Sequence, residues 1–158
     1  MSDTLMQEFW VGRDADRLGE HLGNSFSDFF FKVSTEDSHG GLSVVEMTHH
    51  AKGGPVRHVH YYQDEWFYIV EGEYIFEVGS QERIRLKPGD SVFGPRKVPH
   101  VWAFVGDTPG RILFIFTPAG QIDAFFREIG KVNAPPPLDP ALFHAYGMEL
   151  VGPPLAIE

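Results

Sequence analysis

Gly54-Pro55-Val56-Arg57-His58-Val59-His60-Tyr61-Tyr62-Gln63-Asp64-Glu65-Trp66-Phe67-Tyr68-Ile69-Val70-Glu71-Gly72 places two histidines at i and i+2 and a carboxylate five residues after the second. In a strand, residues two apart point to the same side and lie about 6.6 Å apart along it. Two imidazoles so placed can converge on one ion about 2.0–2.2 Å from each nitrogen. Five is an odd interval, so Glu65 cannot share their face in an unbroken strand. A turn through Tyr61 to Asp64 removes the conflict: the chain folds back, and a second strand presents Glu65 beside His58 and His60. Downstream, the loop Pro95-Arg96-Lys97-Val98-Pro99 leads into another strand-like run that opens with His100, the natural fourth ligand. Three histidines and one glutamate suit a borderline divalent metal with one or two positions left open.

Composition bounds what can surround such a site. At 158 residues the chain has room for one domain with a core and is short for two. Thirteen basic against 22 acidic residues leave a formal charge of −9, which repels phosphate backbones and argues against nucleic-acid binding. With no cysteine, a metal must be held by nitrogen and oxygen ligands. Met1-Ser2-Asp3-Thr4-Leu5 has neither a basic nor an apolar signal region, and no run reaches 18 apolar residues. A soluble cytoplasmic protein without a membrane span is the expectation.

The rest of the chain punctuates into short strands. Candidate strands are 29–33, 42–48, 65–70, 74–78, 83–86, 100–105 and 111–117. Turns at Lys87-Pro88-Gly89-Asp90 and Asp107-Thr108-Pro109-Gly110 separate some of them. Many short strands with Gly/Pro turns indicate an all-β sandwich or barrel. Residues 1–25 form an N-terminal arm, with a possible strand at Phe9-Trp10-Val11 and a polar helix or loop from Arg13 to Leu22. The arm is expected to pack on the barrel exterior or on a second subunit. After Pro118 the period changes. Ile122, Phe125, Phe126 and Ile129 form one helical stripe, ended by Gly130. After Ala134-Pro135-Pro136-Pro137, Asp139 reads as an N-cap with Pro140 at the first helical position. The apolar tail Glu149 to Pro154 is expected to dock on a partner subunit. Residues 121–158 thus make a C-terminal appendage of helices and tail on a barrel spanning 26–120.

The chain resembles the cupins. Their first motif, HxH-x4-Glu-x6-Gly, is matched by His58, His60, Glu65 and Gly72, although its opening glycine is displaced toward His58, to Gly53 or Gly54. Their second motif is matched by Gly89, Pro95 and His100, with Lys97 in place of its second glycine and Phe104 where asparagine often stands. The resemblance implies a double-stranded β-helix, or jelly-roll, barrel carrying a C-terminal helical appendage. It also implies a homodimer and a single divalent transition metal (Fe, Mn, Ni, Co, Cu or Zn) on His58, His60, Glu65 and His100. If Glu65 and His100 point inward, alternation sends Phe67, Ile69, Trp102 and Phe104 inward with them, as an apolar substrate pocket.

The ligand set is similar to that of quercetin 2,3-dioxygenases, which implies oxygenation of a small aromatic or enolic substrate. Glu65 would then be both ligand and general base. The alternatives are a non-redox isomerase or lyase of a sugar or keto acid, and a non-catalytic ligand-binding or sensing module. His49 and His50 are expected as loop histidines at the barrel mouth, with a substrate-contacting role as the alternative. Tyr61 and Tyr62 are expected in a hairpin turn. Arg57 and Arg96 are expected as solvated charges, or as contacts to an anionic substrate. Metal affinity is expected to fall as pH drops toward the ordinary histidine pKa of about 6.5.

Overall fold

The computed structural model describes residues 5–107 and 109–157. Met1 to Thr4, part of the leader reading above, and Thr108, inside the expected turn at 107–110, lie outside the described residues.

Alternation of burial marks the long strands of one sheet. Along Asp64–Glu71 the odd positions Glu65, Phe67 and Ile69 are buried, while Asp64, Trp66 and Tyr68 are half-buried. The same period runs through Ser27–Val33 and Gly110–Thr117. One face of each strand therefore joins a core rich in phenylalanine, in which Phe31, Phe67, Phe76, Phe114 and Phe116 are sealed from solvent.

The strands are β1 (Leu22–Gly23), β2 (Ser27–Val33), β3 (Ser43–His49), β4 (Val56–His60), β5 (Asp64–Glu71), β6 (Tyr74–Val78), β7 (Ile84–Leu86), β8 (Ser91–Gly94), β9 (His100–Phe104), β10 (Gly110–Thr117) and β11 (Met148–Pro154). Two helices, α1 (Ile122–Ile129) and α2 (Pro140–Ala145), precede β11. They form two antiparallel sheets, ordered β1-β2-β3-β10-β5-β8 and β11-β4-β9-β6-β7. This is the all-β jelly roll that was expected, with a small helical appendage. Gly89 takes φ +95° in the turn between β7 and β8, a conformation that only glycine adopts freely.

The arm takes the loop form of the two expected for it and lacks the short strand. Phe9 to Val11 is not a strand, and Arg13 to His21 contains no helix. The side chain of Asp16 explains why: it accepts from the backbone N–H of Leu18 and Gly19 and, across the arm, from that of Phe31. These local bonds replace helical ones. Lys32 Nζ donates to the carbonyls of Gly12, Arg13 and Ala15, which lays the arm along the barrel exterior.

The tail also differs. It does not wait for a second subunit, because β11 pairs with β4 of its own chain, Met148 opposite His60 and Leu150 opposite His58. Prolines at its far end are tolerated because β11 is an edge strand. Helix α1 buries the expected stripe of Ile122, Phe125 and Phe126, and Asp139 caps α2 by accepting from Ala141 N–H. Among the described residues no helix is long and apolar enough to cross a membrane.

Candidate metal centre

Four ligand types reach one point from three strands. His58 and His60 stand on β4, and His100 begins β9 directly opposite His58. Glu65 belongs to the other sheet. Tyr61 to Gln63 are therefore not a hairpin turn: they carry the chain from one layer across to the other. This crossing resolves the odd interval between His60 and Glu65, since the carboxylate faces the histidines across the core instead of joining their sheet.

The donor atoms of His58, His60, Glu65 and His100 all lie within 4.8 Å of one another. Glu65 Oε2 is 3.3 Å from His60 Nε2 and 3.1 Å from His100 Nε2. Donors placed 2.0–2.2 Å from one ion stand roughly 3.0–3.5 Å apart, so this spacing matches ligands around a shared cation. Neighbouring groups orient the rings. The Val56 carbonyl accepts from His58 Nδ1 at 2.8 Å, which fixes the proton there and leaves Nε2 as the free lone pair. Gln63 Oε1 does the same for His60 at 3.3 Å. Glu65 Oε2 and His100 Nε2 are sealed from solvent with no hydrogen-bond partner among the described residues, an arrangement that costs stability unless something else engages them. A divalent cation satisfies both, so the residues present fit the ion.

Burial sets the protonation states. Loss of hydration, reinforced by the neighbouring His100, pushes His58 down to about 3. Desolvation pushes His60 down to about 3 and His100 to about 4. It pushes Glu65 up to about 7, against a small opposing pull from His60. The imidazoles are thus ready as neutral ligands, and the carboxyl is the group that titrates near neutrality.

His58, His60 and Glu65 form one wall of a cavity of about 310 Å³. Of the expected pocket residues, Trp102 lines it and Phe67, Ile69 and Phe104 do not. They point inward but lie elsewhere in the core. Phe67 is wedged against His100, Phe76 and Phe114, Ile69 is sealed in register with Ile112, and Phe104 packs on Tyr74. Parity gives a residue's face but not its level along the barrel. The opposite wall comes from the appendage instead: Phe125 and Phe126 of α1, Pro135 to Leu138, Phe143 and Met148.

His49 is another departure. It ends β3 rather than lying in a loop, is 2% exposed and lines the same cavity. It has the parity of Val45 and Met47, a signal that extending β3 by one residue would have caught. His50 is exposed. Arg57 pairs with Glu77 at 2.6 Å, and Arg96 makes a two-pronged pair with Asp64, so neither is free for an anionic substrate.

The family model for the cupin domain matches residues 43–116, which carry all four ligands. Residues 43–116 are thus a cupin domain. Solved cupin folds superpose on it at low identity. KdgF from Halomonas sp. is 23% identical, covering 71% of this chain and 94% of that one with a TM-score of 0.55. A predicted oxalate decarboxylase from Thermotoga maritima is 21% identical over 58% of this cupin and 80% of its own length, with a TM-score of 0.53. Oxalate decarboxylase from Bacillus subtilis, which has Mn(II) centres, is 20% identical over 63% of this chain and 28% of its own, with a TM-score of 0.54. An uncharacterized protein of Methanocaldococcus jannaschii is 36% identical over 56 residues. That match spans 35% of this cupin and 44% of the relative's length.

Proposed function

We propose that this cupin is a metal-dependent dioxygenase acting on a small, uncharged aromatic or enolic molecule, in the manner its resemblance to quercetin 2,3-dioxygenases suggests. One observation carries the reading: a buried three-histidine, one-carboxylate set presents His58, His60 and Glu65 to an aromatic cavity whose described lining contains no lysine or arginine. Apart from the ion itself an anionic substrate would find no counter-charge there, whereas a flat ring would find Trp102, Phe114, Phe116 and Phe126. Sugar chemistry is less well supported, because the neutral polar side chains on the lining are few, among them Asn24, Ser27 and His49.

His58, His60, Glu65 and His100 would hold the ion, which supplies Lewis acidity and a template for the substrate oxygen and O2. The chain's own residues do the rest. The aromatic walls exclude water and hold the ring plane. Glu65, buried beside the ion's place, takes the substrate hydroxyl proton on the carboxylate oxygen that the ion leaves free.

Oxygen uptake with a panel of flavonols and catechols, on protein loaded separately with Fe(II), Mn(II), Co(II) or Ni(II), tests this. Turnover is expected with at least one metal. Glu65→Gln should lower it by about a hundredfold or more while losing less of the bound metal. No uptake with any combination, or full activity in Glu65→Gln, sinks the reading. In the first case, intact ligand-induced thermal shifts would leave a ligand-binding module.

A further inference from the structure

The cavity has a second polar end that the metal chemistry does not use. His49 sits on β3, edge-on to Trp102 with ring centroids 5.4 Å apart and stacked on Phe104 at 5.5 Å. Trp102 lies two residues along β9 from His100, on the same face of that strand. Nδ1 of His49 is 2.8 Å from the hydroxyl of Tyr74, which is itself sealed from solvent. Nε2 has no hydrogen-bond partner among the described residues. The residue lines the cavity and keeps 2% of its surface accessible, which leaves Nε2 as its polar side-chain atom available to a ligand.

The direction of the His49–Tyr74 bond fixes what Nε2 offers. Among the described residues, His49 Nδ1 is the one partner of the Tyr74 hydroxyl. Were the proton on Nδ1, the buried Tyr74 O–H would have no acceptor. A stranded buried donor is costly, so the hydroxyl donates to Nδ1 and the ring proton sits on Nε2. Burial also keeps the ring uncharged, pushing it down to about 3. A neutral N–H donor in a wall whose described lining has no lysine or arginine favours a neutral acceptor over an anion.

We propose that His49 is a ligand-binding residue whose Nε2–H donates to a carbonyl or ether oxygen of an uncharged aromatic ligand, with Tyr74 as the positioning residue that holds the ring in that tautomer. This deepens the reading above, on which its biological sense rests. It assigns the substrate class a second polar group, distinct from the metal-binding oxygen.

The test uses acetophenone and its isostere α-methylstyrene, in which a methylene replaces the carbonyl oxygen. Binding to the full chain is followed by NMR, as purified and after chelation, so that the metal-free arm is independent of the centre. The ratio of the two affinities should fall by about fivefold in His49→Phe and be retained in His49→Gln, which keeps an N–H donor. In the wild-type protein, ring 15N shifts should place the proton on Nε2, and Tyr74→Phe should release that preference. An unchanged ratio in His49→Phe, a proton on Nδ1, or failure of the cavity to take either probe overturns the proposal. The tautomer measurement stands even if His49→Phe does not fold. Absent oxygen uptake alongside an intact ratio would remove the dioxygenase and leave this site.

Discussion

Gln63 holds His60 from behind: its Oε1 accepts from Nδ1 at 3.3 Å while its amide nitrogen donates to the carbonyls of Pro118 and Ala119. One buried amide therefore links a metal ligand to the turn that launches α1. Gln63→Leu removes the acceptor and frees the ring to choose its other tautomer. Metal affinity should drop by about tenfold to a hundredfold, as loss of a ligand-orienting group generally does. Competition against a chelating dye checks this, and an unchanged affinity would show that the hydrogen bond does not orient the ring.

Glu65 governs the pH response of the centre. Its metal-free carboxyl titrates at about 7, raised from an ordinary 4.5, and the three ligand histidines titrate far below their ordinary 6.5. For Glu65 the folded value is raised, so its contribution to metal-free stability is full below 4.5 and is lost as pH rises through 7. For the histidines it is lowered, so their contribution is full above 6.5 and is lost as pH falls toward 3–4. Near pH 6, then, metal must displace one proton from Glu65 and none from the imidazoles. Calorimetry in buffers of differing ionisation enthalpy should show close to one proton released at pH 6, almost none at pH 8, and none in Glu65→Gln. Release of two or more at pH 6 would mean that the imidazoles are charged in the empty pocket. The titrating group is thus the carboxyl, not the histidines that the sequence suggested.

Lys97 stands where the cupin motif has its second glycine, with φ +69°. Its N–H donates to the His60 carbonyl at 2.7 Å, so the loop needs the left-handed turn to reach the ligand strand. A side chain in that region costs roughly 1–2 kcal/mol, and glycine gives back part of the gain through the unfolded chain. Lys97→Gly should stabilise the fold by about 0.5–1 kcal/mol. Urea melts decide it, and a destabilised variant would show that the lysine side chain contributes something the backbone argument omits.

Gly54 is pressed against β9. A Cβ there would lie 2.0 Å from the Trp102 carbonyl oxygen. Gly54→Ala must push away the strand that carries both His100 and Trp102. We expect a loss of about 1–3 kcal/mol together with weaker metal binding. Wild-type stability in this variant would mean that the loop relaxes freely. The close approach also explains why a glycine sits so near His58.

The pairing of His58 with His60, the short strands and the stripe of α1 were legible because each rests on short-range spacing, whereas the jelly roll came through the resemblance to cupins. Periods of two and of 3.6 are local properties, and so is the turn chemistry at Lys87 to Asp90. The remainder depended on long-range placement. That Glu65 lies on the opposite layer, that β11 joins β4, and that Phe67, Ile69 and Phe104 miss the cavity while α1 walls it all follow from strand order and level. A single sequence states neither. His49 falls between: its parity with Met47 was visible, but its company with Tyr74 and Trp102 was not.

The division of the ligands between layers bears on how the protein is made. During synthesis, a chain that has emerged as far as β4 holds two of the four side chains of the centre, His58 and His60. Only when β5 has crossed over and β9 has zipped against β4 does the full chelate exist, so capture of the ion follows closure of the sandwich and then clamps its halves together. The metal should accordingly slow unfolding far more than it hastens folding.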